Sequence, residues 1–140
     1  MKYSIRFFSE DIDFILKDKI RVRNWLKKVI AEENKGPFHI NYIFCSDGYL
    51  LELNKKYLNH STLTDILTFP DTTPSGEESG EIYISIDRIK ENASKFKQSF
   101  EKELYRVMVH GILHLSGYKD KSENEKKLMT MMEDYYLDKI

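Results

Sequence analysis

The chain predicts an α+β fold, in which one four-stranded sheet carries helices both between its strands and after them. Three observations lead there. Short runs of alternating apolar residues occur at 2–8, 38–45, 64–70 and 81–87, the period of a half-buried strand. A stripe of apolar residues at helical spacing fills 17–33. From about residue 87 onward the pattern is helical only, which places a late run of helices against one sheet face.

In order along the chain, KYSIRFF (2–8) is the first strand. Val22, Trp25, Leu26, Val29 and Ile30 form the buried stripe of the helix over 17–33, and Gly36-Pro37 stops it. Phe38, Ile40, Tyr42 and Phe44 share one face of the second strand. Ser46-Asp47 starts a helix that continues through YLLELNKKYL (49–58), and polar NHST (59–62) leads out of it. TDILTFP (64–70) is a strand closed by proline, so it belongs at a sheet edge or a strand end. DTTPSGEESG (71–80) has turn chemistry throughout, and EIYISID (81–87) supplies the fourth strand with Ile82, Ile84 and Ile86 on one side. Helices are expected at 87–98, 100–116 and 122–138. The last opens on a capping box, Ser122 with Glu125, and carries an apolar stripe of Leu128, Met131, Met132 and Tyr135.

The 140 residues suit a single domain, 1–140, and 41% hydrophobic with 32% charged residues is a globular composition. A net charge of −1 announces no nucleic acid or membrane through the global field. The lone Cys45 excludes an internal disulfide and a cysteine zinc ribbon, and its apolar surroundings make it a core thiol. No apolar run approaches the roughly 20 residues needed to span a bilayer, and the N-terminus lacks a signal-peptide core, so a cytoplasmic location is expected.

The chemistry concentrates in HGILHLSGYKD (110–120). On a helix, His110 and His114 stand one turn apart with Cβ atoms about 5–6 Å from each other, close enough for both imidazoles to meet one ion. Gly117 supplies the left-handed residue that ends the helix, and three residues later Asp120 can fold back. Three protein ligands would leave a fourth position for water, the arrangement of a catalytic metal site. Two histidines four apart also occur on any solvated helix face, so the spacing alone leaves the question open.

At these residues the chain resembles the YbeY-type ribosomal RNA maturation factors, a family of metal-dependent, single-strand-specific endoribonucleases. The family pattern H-G-x-x-H-L-x-G-Y-D-H is matched up to Tyr118. TDILTFP (64–70) is similar to the family's T-D-V-L-S-F-P strand and GEIYIS (80–85) to its G-D-I-x-I-S strand, so the likeness spans roughly 38–135. The resemblance implies a mixed four-stranded sheet whose metal helix is arranged as in a zinc protease. It implies one zinc ion on His110 and His114, to which the spacing adds Asp120 as third ligand, and leaves the general acid or base unassigned. It further implies an enzyme acting on single-stranded RNA in 16S rRNA 3′-end maturation, with precursor small-subunit rRNA and the small ribosomal subunit or its proteins as partners.

Two departures bear on this. Asp120 stands where the family has a third histidine; a carboxylate binds zinc at about 2.0–2.2 Å but lowers the site's charge by one, which makes a bound water less acidic and tilts the site toward harder ions such as Mn²⁺. Leu58 follows Tyr57 where the family has arginine, and His60 is the nearby candidate for a substitute cation. Leu58 favours an alternative in which the chain is a ribosome-assembly binding factor with a structural metal. A metallopeptidase is disfavoured, because Gly111 occupies the position of the glutamate base in H-E-x-x-H. Glu103, two turns before His110, is expected as an outer partner or a solvated surface residue. The run KDKIRVRNWLKK (17–28), with six basic residues against one acid, and Arg88, Lys90, Lys95, Lys97 and Lys102 could track a phosphate backbone, and Tyr118 could stack a base.

Overall fold

A computed structural model describes residues 3–58 and 64–140. Its elements are β1 (Ser4–Ser9), α1 (Lys19–Glu33), β2 (His39–Cys45), α2 (Asp47–Leu58), β3 (Ile66–Thr72), β4 (Glu78–Ser85), α3 (Ile86–Lys95), α4 (Phe100–Leu115) and α5 (Glu123–Leu137). The strands form one mixed sheet in the order β1-β2-β4-β3. β1, β2 and β4 run parallel, and β3 lies antiparallel to β4 at the edge.

The β2 and β4 residues expected to share a face do so: Ile40, Tyr42, Phe44, Ile82 and Ile84 are all buried in the main core. Against them pack the stripe of α1 and the apolar faces of α3 and α4, closed by Met129 and Tyr136 of α5. The opposite face carries only a smaller cluster, where Leu50 of α2 meets Cys45 and Leu67. Burial pushes the Cys45 thiol up to about 12, so it is an inert core group. Among the described residues no helix is long and apolar enough to cross a membrane.

Two expectations need correcting. The loop assigned to 71–80 is half strand: β3 continues past Pro70 to Thr72 and β4 begins at Glu78, leaving a short hairpin turn. Pro70 is tolerated inside β3 because that strand is an edge. On α5 the inward residues are Met129, Glu133 and Tyr136, with Met132 partly buried against the same core, while Leu128, Met131 and Tyr135 are 48%, 66% and 42% exposed. The stripe is out of phase by one residue because a charged side chain, Glu133, occupies a core position that apolar periodicity hands to a hydrophobe. Ser122 and Glu125 do form the capping box, with both reciprocal bonds present.

The helix that matters most, α4, lies unusually close to the sheet. A Cβ on Gly111 would come within 2.9 Å of Ile82 Cδ1 and 3.1 Å of Ile66 Cδ1, and one on Gly80 within 2.6 Å of Leu115 Cδ1. Gly111 is therefore a packing residue, and its lack of a side chain lets α4 settle on β4 and β3. Buried Tyr42 fixes the same contact by donating its hydroxyl to the Met108 carbonyl at 2.7 Å.

Candidate active site

Helix α4 ends in a Schellman motif. The Tyr118 amide donates to the Leu113 carbonyl at 3.0 Å and the Gly117 amide to the His114 carbonyl at 3.1 Å, with Gly117 at φ +113°. This reversal returns the chain toward the helix it has just left, and places Asp120 Oδ2 3.5 Å from His110 Nε2. The imidazoles of His110 and His114 lie side by side, with centroids 6.3 Å apart and planes within 9° of parallel. His114 is exposed and His110 half-buried. Among the described residues no three His, Cys, Asp or Glu side chains close around a single point. The fold thus brings His110, His114 and Asp120 to one cavity wall.

That cavity, about 580 Å³, is bounded by β3, by the inner face of α4 and by α5. Leu58 and Thr64, on either side of residues 59–63, also line it. Leu58 therefore does border the site. His60 lies outside the described residues. Tyr118 is partly buried against the core. Of the basic residues, Arg88 is bound through Nε to both oxygens of Asp47 at 3.1 Å, and Arg23 donates to the Ile5 carbonyl at 2.9 Å.

Sequence reasoning missed the pair that organises the site. Glu133, 6% exposed, accepts from His110 Nδ1 at 2.6 Å through one carboxylate oxygen and from Arg106 Nη1 at 2.9 Å through the other. Arg106 Nη2 reaches Asp134 Oδ1 at 2.5 Å. With Nδ1 donating to a carboxylate, His110 keeps Nε2 as its free nitrogen, turned toward Asp120. Burial opposes a charge on His110, but the Glu133 hydrogen bond and charge, with Asp120 and Asp65 behind them, outweigh it and raise its pKa. The available signal was small: a glutamate at an apolar-phase position of an amphipathic helix.

Glu103 also differs from expectation. It is a buried residue, 7% exposed, whose side chain lines the cavity and has no hydrogen bond or ion pair among the described residues. Burial raises its pKa, Asp65 adds to the rise, and Arg106 partly counters it. Asp65, which lines the same cavity, is raised too, by burial first, against the lowering pull of His110.

A family model described as Endoribonuclease YbeY matches residues 7–140, nearly the whole chain. The chain belongs to the YbeY endoribonuclease family. It is 53% identical over 127 residues to the Endoribonuclease YbeY of Flavobacterium psychrophilum, covering 91% of this chain and 90% of that protein. To the Endoribonuclease YbeY of Cytophaga hutchinsonii it is 44% identical, covering 94% and 92%. Among solved structures, the solution structure of TM1509 from Thermotoga maritima superposes with a TM-score of 0.66 at 33% identity, over 96% of this chain and 87% of that one. The α+β fold expected from the sequence is the fold of the YbeY family member seen here, and the resemblance noted at HGILHLSGYKD extends to most of the chain.

Proposed function

We propose that this YbeY-family protein is a metal-dependent, single-strand-specific endoribonuclease acting in 16S rRNA 3′-end maturation, with one divalent ion, zinc first, held by His110, His114 and Asp120. Endoribonuclease activity follows from the family. The metal reading is supported above all by the 2.6 Å bond between His110 Nδ1 and Glu133. Imidazoles that bind metals characteristically give their second nitrogen to a carboxylate, which fixes the ring and the tautomer. Two imidazoles and a carboxylate are also a suitable donor set for zinc, and the 3.5 Å between His110 Nε2 and Asp120 Oδ2 suits two ligands of one ion.

A divalent ion at this position would polarise a phosphoryl oxygen and make water a better nucleophile. The chain's own residues do the rest. Glu133 holds His110 in register, and Arg106 holds Glu133. The cavity orients the strand, and the close seat of α4 on the sheet keeps the ligands fixed relative to the β3 wall. Arg106 is committed to two carboxylates, so it does not replace the cation missing at Leu58. An open cavity of this size beside the ligands favours catalysis over the alternative of an assembly factor with a purely structural metal.

The test is cleavage of a labelled single-stranded RNA carrying a precursor small-subunit rRNA 3′ end. Wild type, chelator-treated wild type and His114→Ala are purified identically. Activity that requires both the metal and His114 is expected. Equal cleavage in all three would sink the site assignment.

A further inference from the structure

We propose that Glu103 is the general acid of this site, protonating the oxygen that leaves phosphorus. The inference rests on the nuclease reading above and adds a residue to it.

Glu103 sits on α4 two turns before His110, faces the same cavity, and is more than nine-tenths buried. A buried carboxylate normally recruits a cation or a set of N–H donors, because leaving it unpaired is costly. Arg106, three residues along the same helix, is within reach in sequence, yet its guanidinium is turned to Glu133 and Asp134. The groups facing Glu103 are Asp65 from the entry to β3, Arg106 and His110 from α4, and Glu133 from α5. Two of the four are acidic, one is an arginine already bound to two carboxylates, and the fourth, His110, is already bound to Glu133; the first-turn position on α4 also favours an anion.

The same cavity therefore holds two buried glutamates in opposite surroundings. Glu133 meets two donors and serves as an acceptor. Glu103 meets none among the described residues, and burial and Asp65 push it toward its protonated form. Carboxyls in such different surroundings take different roles: Glu133 positions His110, and Glu103 is left with a proton to give. In the step assigned to Glu103, the P–O bond breaks with its electron pair going to the leaving oxygen, which takes the Glu103 proton as it departs. The attacking water gives its oxygen to phosphorus and one proton to solvent. Glu103 regains a proton from solvent, so the net change is the addition of one water.

The experiment compares wild type, Glu103→Gln and Glu103→Asp on two substrates, with zinc affinity measured for all three. One substrate is single-stranded RNA. The other is a nucleotide p-nitrophenyl phosphodiester, whose leaving group departs without a proton. Glu103→Gln is expected to lose about 100-fold to 10,000-fold on RNA while retaining most of its rate on the nitrophenyl ester and its zinc affinity. Glu103→Asp, which keeps an acid, is expected to recover part of the RNA rate. Equal loss on both substrates, or no loss on RNA in an active protein, would overturn the assignment to Glu103 alone. A wild type inactive on RNA would overturn the nuclease reading, and this inference with it.

Discussion

The two walls of the cavity solve the problem of buried charge in different ways. On the α5 side every group is answered: Glu133 takes His110 and Arg106, and Arg106 takes Asp134 as well. On the side where α4 begins and β3 enters the sheet, Glu103 has no partner among the described residues, and Asp65 has a backbone hydrogen bond and a long 3.5 Å contact from the Asn92 amide. A paired network fixes geometry; an unpaired acid stores a proton where a reaction can use it. The difference teaches that burial alone does not define a role. What defines it is the company a buried carboxylate keeps.

The contrast breaks most visibly at Glu133. Glu133→Ala strands the half-buried Arg106 and leaves His110 Nδ1 without its partner, and should cost about 3–5 kcal/mol in denaturant unfolding, as for one-sided loss of a buried ion pair. Glu133→Gln keeps the shape, and zinc titration should show a roughly 10–100-fold weaker affinity. An unchanged affinity would reduce Glu133 to a structural strut. At the base of the site, Gly111→Ala forces a methyl to within 2.9 Å of Ile82. The overpacking cost of about 1–3 kcal/mol exceeds the helix-propensity gain of about 1 kcal/mol, so a net loss of up to about 2 kcal/mol is expected from chemical melts.

On the unpaired wall the sign reverses. Because folding raises the Glu103 pKa, its carboxyl favours the folded state most below the unfolded value of about 4.3 and loses that advantage as pH rises through the folded value. Metal-free Glu103→Gln should accordingly melt at or above the wild-type temperature at neutral pH, and the gap should close in acid. A variant that melts lower at neutral pH would show that Glu103 has a stabilising partner. The smallest effect belongs to Asp134→Asn: Asp134 is 59% exposed, and its removal should cost no more than about 1 kcal/mol in the same melts.

Most of the fold was legible because the strands and α1 follow their apolar periods faithfully. Val22 to Ile30 on α1, and Ile40 to Phe44 on β2, point where alternation says they should. The candidate ligands were legible too, since spacing on a helix and a glycine stop are local properties. Glu133 and Arg106 were not, because their pairing joins α4 to α5 across 27 residues and no local rule ties a glutamate on one helix to an imidazole on another. Glu103 was misread for a related reason. Periodicity treats a charged residue as solvent-facing, and α5 was placed out of phase by the same assumption. The purpose of Gly111 likewise became visible only when Ile82 was found against it.

The position of Pro70 has a consequence for how this molecule behaves in company. β3 forms a wall of the cavity and pairs with β4 alone among the described residues. A sheet margin left open for substrate is also a template on which another chain's strand can grow. A proline set into that margin has no amide hydrogen to offer an incoming strand, so the ladder that would start there is interrupted. The residue whose presence marks β3 as an edge thus also leaves a gap in the row of amide donors along that margin.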